Sequence, residues 1–187
     1  MRGEKSRTLE LCKDYLEKLE SAYPEAEIEE VDLTSMDIQV QDGAFIERRD
    51  AFLKAGDFSD SMFDLAKQLI AADHVVIGAP YWDLSFPAKL KMYLERCSVD
   101  KLTFIYNEQG IPQGQCRAKA LTYITTAGGY IGDFNFGFDY VKGLCGLLFG
   151  IKGFHFAAAD GIDIIGVDVA ARLAETKEKF TEILKEI

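Results

Sequence analysis

The sequence has too few basic residues and too short an apolar run for two large classes of protein. Lys and Arg number 21 against 31 Asp and Glu, which gives a net charge of -10 over 187 residues. A protein that binds nucleic acid neutralises phosphates with a basic face, so this balance argues against such a partner. The longest apolar run, residues 144–151, is far shorter than the ~20 residues that span a bilayer. With no apolar leader at its start, the chain is expected to be cytoplasmic and to bind no membrane.

Cysteine and histidine are scarce as well. The four cysteines are isolated, with no CxxC spacing and no cluster near either of the two histidines. This pattern argues against a disulfide framework or a zinc site, so no metal ligands are predicted. His74 and His155 both fall in apolar segments, where a structural role is expected. Hydrophobic residues make up 48 % of the chain, and its length predicts one packed domain over residues 1–187.

Helical and strand patterns alternate along the chain. Apolar residues that recur every three or four positions predict helices, and short β-rich apolar runs predict strands. The predicted helices cover residues 7–22, 47–54, a segment capped at or near Ser59, residues 87–97 and 138–149, and a segment capped by Asp168. The predicted strands cover residues 27–33, 74–78, 103–106, 119–125 and 153–159. This order favours an α/β fold with a doubly wound parallel sheet and helices on both faces.

In such a sheet, ligands bind outside the carboxyl ends of the strands, so the loops that follow the strands are the candidate binding sites. Residues 2–8 run into the first helix and offer hydroxyl and N–H groups that suit a phosphate, although an ordinary helix cap explains them equally well. Residues 78–87 carry three aromatic side chains that suit a flat conjugated ring or simply pack beneath the loop. Residues 125–133 contain glycines that let the backbone approach a ligand, or that form a plain turn.

Taken together, the three loops resemble the flavodoxin-like family of FMN-dependent NAD(P)H oxidoreductases, which includes NADH azoreductases and quinone reductases. The resemblance rests on Ala79–Leu84 followed by Phe86–Tyr93, on Thr126–Gly129, and on the order of elements from Ser6 onward. It implies a flavodoxin-like fold, FMN as cofactor and NADH or NADPH as co-substrate. It also implies a quinone, azo compound or similar small acceptor, and a homodimer. Hydride transfer through the flavin needs no protein nucleophile, so no catalytic side chain is predicted.

The resemblance also assigns binding residues by position. The first loop corresponds to the phosphate segment, the second to the segment along the isoalloxazine, and the third to the opposite edge of the ring. The implied cofactor-binding residues are Ser6, Arg7, Thr8, Pro80, Tyr81, Trp82, Asp83, Leu84, Thr126, Ala127, Gly128, Gly129 and Tyr130.

One departure from the family concerns the beginning of the sequence. Relatives place a central strand before the segment that here begins at Arg2, and the pattern of this chain begins with a helix. We therefore expect the sheet to lack its first strand, which would leave two strand edges unpaired. Two alternative functions stay open at this point. One is a flavodoxin-like electron carrier that docks on redox partners, and the other is a flavodoxin-fold binding protein that has lost FMN.

Overall fold

The computed structural model describes residues 5–187, and its helices follow most of the predicted segments. The prediction for residues 7–22 is confirmed, while the predicted helix at residues 47–54 is longer than expected at both ends. The helices are α1 (Arg7–Ala22), α2 (Gly43–Ala55), α3 (Asp64–Ala71), α4 (Ala88–Cys97), α5 (Phe136–Leu144) and α6 (Val169–Ile183).

Three parallel strands form the main sheet, and two further strands form a separate antiparallel pair. The strands are β1 (His74–Gly78), β2 (Phe104–Tyr106), β3 (Pro112–Gly114), β4 (Ala120–Thr126) and β5 (Gly153–Ala159). The order in the main sheet is β1-β4-β5, with β4 in the centre. Ile77 lies opposite Tyr123, and Tyr123 lies opposite Phe156. The strand predicted at residues 103–106 does exist as β2, but it pairs with β3 and does not join the main sheet.

Helices cover both faces of the main sheet, as predicted. Every residue of β4 is buried, and its side chains alternate between two apolar clusters. Tyr123 belongs to a cluster with Leu90 and Leu94 of α4, whereas Ile124 belongs to a cluster with Leu11 of α1 and residues of α6. A strand that is buried on both faces needs no polar face, which explains why the sequence of β4 shows no alternation of exposed polar and buried apolar residues.

Short polar side chains cap the amino ends of α1, α2 and α6. Leu9 N–H donates to Ser6 Oγ at 3.3 Å, and Asp168 caps α6 in the same way. Of the two caps predicted here, Ser59 or a neighbouring acid, the structure has the acid: the Asp60 carboxylate accepts from the N–H of Met62 at 3.0 Å, at the start of a 3₁₀ turn (Ser61–Phe63) that leads into α3. A carboxylate accepts hydrogen bonds from N–H groups more strongly than a hydroxyl does, which favours Asp60 in this place.

The helix predicted over residues 138–149 changes its geometry part-way. The α-helical part ends at Leu144, and Cys145–Phe149 continue as a π-helical turn. Gly150 then adopts a left-handed conformation with φ of 80°, which ends the turn. Pro87 likewise precedes α4 instead of being its first residue.

The strand predicted at residues 27–33 is wrong. These residues form no strand, and Ile28 stays 38 % exposed. A strand requires a hydrogen-bonding neighbour, and among the described residues no strand lies along the outer edge of β1. The missing first strand was expected to lie between this segment and β1, and no described strand lies there for the segment to pair with. Leu33 packs on the main core instead.

A small polar cluster with the two histidines lies at the amino ends of the strands, away from the loops of interest. His74 Nε2 lies 3.1 Å from Thr122 Oγ1 and 3.3 Å from Tyr15 Oη. Burial, together with a smaller effect of the neighbouring His155, lowers the pKa of His74 from 6.5 to about 4. His74 is therefore neutral at pH 7, and its contacts support the structural role expected for it.

This cluster makes folding stability depend on pH. In the unfolded chain His74 takes up a proton near pH 6.5, whereas the folded protein resists protonation down to about pH 4. Stability is therefore lost as the pH falls through that window. We expect the free energy of unfolding to fall by about 2 kcal/mol between pH 7 and pH 5 from this group alone. Urea denaturation of the protein and of His74→Gln at both pH values measures this effect. An equal loss in both proteins would contradict it.

Candidate functional site

The carboxyl ends of β1 and β4 bring the second and third loops side by side. Beyond β1, Ala79 N–H donates to Ile124 O at 3.0 Å, and Tyr81 N–H donates to Thr126 O at 3.0 Å. These bonds continue the parallel ladder past the end of β1 and hold the second loop against the end of β4. The structure therefore places two of the three predicted loops at one edge of the sheet.

The second loop contains a tight two-residue turn. Trp82 and Ser85 exchange both of their backbone hydrogen bonds, at 3.0 and 2.8 Å. Between them, Asp83 and Leu84 both have positive φ, 49° and 66°, the combination found in a type I′ turn. Leu is rarely found in this conformation, which costs about 1 kcal/mol. Strain of this kind is concentrated at ligand sites, and the turn lies where the ring of a ligand was predicted.

The three aromatic side chains of the second loop have different roles. Phe86 packs beneath the loop, with its ring centre 5.8 Å from that of Tyr140. Tyr81 donates its hydroxyl hydrogen to Phe134 O at 2.8 Å, which ties the second loop to the third. Trp82 is 53 % exposed. The alternative that the aromatics only pack beneath the loop thus holds for Phe86 and fails for Trp82.

The first loop meets the third through side chains at the start of α1. Thr8 Oγ1 and Thr126 Oγ1 are buried and lie 2.6 Å apart. Ser6 caps the helix, and Arg7 Nη1 donates to Asp163 Oδ1 at 2.8 Å. All three side chains predicted at the phosphate end therefore have a protein partner. The N–H groups of the first helical turn point out of the helix, as they do at any helix start, and suit an anion. Residues 2–4 of this loop lie outside the described residues.

A fourth loop, residues 160–168 after β5, closes the site, and the sequence analysis missed it. Its backbone N–H groups at Gly161 and Asp163 donate to Gly129 O and Gly128 O, both at 3.0 Å. Tyr130 packs its ring on Gly161, where a Cβ would come within 2.7 Å of the ring, and stays 62 % exposed. Ligands bind at the carboxyl ends of parallel strands in general, so the position of this loop directly after β5 could have predicted its part in the site.

The unpaired donors of the second and third loops fit a flavin ring. In the described part of the chain, their backbone N–H groups at Asp83, Leu84 and residues 128–130 donate to no protein acceptor. Thr125 Oγ1, at the end of β4, is buried without a partner. An oxidised isoalloxazine presents two carbonyl oxygens and the nitrogens N1 and N5 as hydrogen-bond acceptors, so this donor set fits the ring of FMN. Within residues 5–187, no group of three or more His, Cys, Asp or Glu side chains is placed to hold a metal ion.

Comparison with known proteins decides the family. The family described as having a flavodoxin-like fold matches residues 1–184. The chain belongs to that family. An FMN-dependent NADH:quinone oxidoreductase of Lachnoclostridium phytofermentans is 33 % identical, over 97 % of this chain and 91 % of that protein. FMN-dependent NADH:quinone oxidoreductase 2 of Clostridium acetobutylicum is also 33 % identical, over 97 % and 92 % of the two chains.

Two solved structures share the fold. An azoreductase from Bacillus anthracis superposes with a TM-score of 0.85 at 20 % identity, over 99 % of this chain and 94 % of that one. A second, an FMN-dependent NADH-azoreductase from Bacillus anthracis in complex with FMN, superposes with a TM-score of 0.82 at 20 % identity. The superposition covers 98 % of this chain and 92 % of the azoreductase chain. The predicted fold class and family are thereby confirmed, whereas the site residues and the single domain stay predictions.

The buried hydroxyl pair between the first and third loops can be tested by substitution. Thr8→Val or Thr126→Val leaves the other hydroxyl buried without a partner, so each is expected to lower the free energy of unfolding by about 1 to 3 kcal/mol. The double variant leaves no unpaired group, so its loss should be smaller than the sum of the two. Denaturant unfolding of the four proteins measures this coupling, and strictly additive losses would show that the pair does not interact.

Proposed function

We propose that this protein is an FMN-dependent oxidoreductase that passes a hydride from NADH or NADPH, by way of the flavin, to a quinone, azo compound or similar small acceptor. The observation that carries the proposal is the set of unpaired backbone donors on the two loops at the carboxyl edge of the sheet. Relatives named FMN-dependent NADH:quinone oxidoreductase are 33 % identical over nearly the whole chain, which supports the same reading.

The proposal gives each loop a task. The start of α1, with Ser6, Arg7 and Thr8, holds the phosphate end of FMN. The second loop, from Pro80 to Leu84, lies along the isoalloxazine, and the third, from Thr126 to Tyr130, lies at its opposite edge. FMN, when bound, supplies the hydride-accepting and hydride-donating chemistry. Fixed N–H donors on the two loops stabilise the negative charge that the ring gains on reduction.

Substrate access follows from the exposure of the same loops. Trp82 and Tyr130 are each more than half exposed and flank the proposed ring position. Flat side chains of this kind suit planar substrates such as a nicotinamide or a quinone, which would use one face of the site in turn. No side chain is assigned a proton-transfer role. Tyr130, the nearest protic group by sequence, has its ring packed on Gly161 of the fourth loop.

The first test is the visible absorption spectrum of the purified protein, before and after addition of FMN and desalting. We expect a retained flavin band near ~450 nm. NADH and NADPH oxidation with a soluble naphthoquinone, and no partner protein, then tests the activity. Flavin retention without such oxidation would favour the electron carrier. Failure to retain flavin would favour a binding protein that has lost FMN.

We also propose a homodimer, with the site end of the molecule and the end of α5 as the contact region. Phe134 and Phe136 lie near the start of α5 with their ring centres 6.1 Å apart, and both are more than half exposed. Leu147, beyond the other end of α5, is also more than half exposed, and exposed apolar side chains of this size are common in contact surfaces. The charge of -10 gives no attraction between copies, so the contact would rest on apolar area.

Light scattering after size exclusion tests the dimer. We expect twice the chain mass, with Leu147→Asp shifting the protein toward the monomer because a carboxylate cannot be buried unpaired. Val40→Asp changes an apolar residue on another segment that is at least as exposed, 68 % against 58 % for Leu147, and serves as the control. A monomeric unaltered protein, or equal effects of the two substitutions, would refute the proposal.

In the described part of the chain, no helix is long and apolar enough to cross a membrane. The four free thiols suit the reducing cytoplasm, which we propose as the location.

A further inference from the structure

Asp163 of the fourth loop joins two ends of the site that the sequence analysis treated separately. Its Oδ1 accepts from Arg7 Nη1 at 2.8 Å, at the start of α1. Its own backbone N–H donates to Gly128 O at 3.0 Å, in the third loop. The residue therefore lies between the segment proposed for the phosphate and the segment proposed for the edge of the ring.

The carboxylate is placed against Gly128 with little room to spare. A Cβ at Gly128 would come within 2.7 Å of Asp163 Oδ2, so the glycine leaves the space that this oxygen fills. Three backbone bonds hold the fourth loop on the third, since Ile162 N–H also donates to Ala127 O at 3.2 Å. The position of the carboxylate is thus set by the backbone on one side and by Arg7 on the other.

One of the two carboxylate oxygens is free to bind a ligand. Oδ2 accepts no hydrogen bond from the residues that the structure describes, and the Asp163 side chain is 58 % exposed. An ionised carboxylate can only accept hydrogen bonds, so its natural partners are hydroxyl and N–H groups. Arg7 offsets its charge, which reduces the repulsion that a bare carboxylate would exert on a nearby phosphate.

We propose that Asp163 recognises the polyol chain of the flavin by accepting hydrogen bonds from its hydroxyl groups. This inference rests on the proposed function, because it is the flavin that joins a phosphate to a ring through a chain of hydroxyl-bearing carbons. Asp163 contacts both the start of α1 and the third loop, so a chain that joins these two segments would run alongside it. Asp163 is then a specificity residue for flavins with a polyol side chain.

Three ligands separate the parts of the flavin. Lumiflavin has the ring alone, riboflavin adds the polyol, and FMN adds the phosphate. Quenching of flavin fluorescence measures the Kd of each ligand for the unaltered protein, Asp163→Ala and Asp163→Asn. A matched control is Asp73→Ala, which breaks another exposed ion pair, with Arg117 at 2.7 Å, at the far end of β1. Thermal unfolding of each variant reports folding separately from binding.

For Asp163→Ala we expect riboflavin and FMN to bind about 10-fold more weakly, as the loss of a hydrogen bond to a charged acceptor implies. Lumiflavin should bind as before, Asp163→Asn should recover part of the loss through its amide oxygen, and Asp73→Ala should change nothing.

Three outcomes would overturn the proposal. If lumiflavin weakens as much as riboflavin, Asp163 only supports the loops. If FMN binds more tightly to Asp163→Ala while riboflavin is unchanged, the carboxylate acts by repelling the phosphate. If riboflavin is indifferent to every substitution, the polyol is not recognised there. A protein that binds none of the three ligands refutes the proposed function itself, an outcome distinct from the other three.

Discussion

The pairing of β4 with strands on both of its edges is the constraint on which the rest of the molecule depends. β4 is buried along its whole length, and its seven residues pair with β5 through Thr126 opposite Ala159. Because all three strands of the main sheet run the same way, their following loops leave at one edge. The ladder continues beyond β1 as far as Tyr81, so the first part of the second loop is held by the same hydrogen bonds as the sheet. The loops of the candidate site thus inherit the rigidity of the sheet.

Side-chain hydrogen bonds then connect the segments at the carboxyl edge of the sheet. The Thr8–Thr126 pair ties the start of α1 to the end of β4, and Tyr81 Oη ties the second loop to the third. Each contact joins segments that are far apart in sequence. A site assembled in this way holds its backbone donors in place before a ligand arrives, which is the condition for electrostatic stabilisation without reorganisation.

A helix or strand could be predicted from the sequence where its pattern depends only on its own residues, and not where it depends on a pairing partner elsewhere in the chain. The apolar period of residues 7–22 gave α1 with the right ends, and β5 was also placed correctly, because burial of one helix face or of a whole strand appears in the local sequence. The alternation in residues 27–33 describes which side chains would face inward, but a strand also needs a neighbour, and none of the described residues supplies one. Similarly, the pattern of β2 could not distinguish a strand of the main sheet from one of a separate pair.

In the candidate site, too, features of the local sequence could be predicted, whereas contacts with distant segments could not. The order of residues marked the second and third loops, since aromatic and glycine positions are visible in a single sequence. The contribution of residues 160–168 was not visible, because it consists of backbone bonds to the third loop and of an Asp163–Arg7 contact that spans 156 positions. The cap formed by Ser6 was among the alternatives that the sequence offered, but the partners of Arg7 and Thr8 lie too far along the chain to be predicted.

The open outer edge of β1 has a consequence for how the amide hydrogens of the sheet exchange with water. Alternate N–H groups of a strand point to opposite neighbours, and Ala79 and Tyr81 point toward β4. The N–H groups of Val76 and Gly78 therefore point away from it, where no described strand receives them. Along the described part of β1, the amides that face β4 are therefore expected to exchange more slowly than those of Val76 and Gly78.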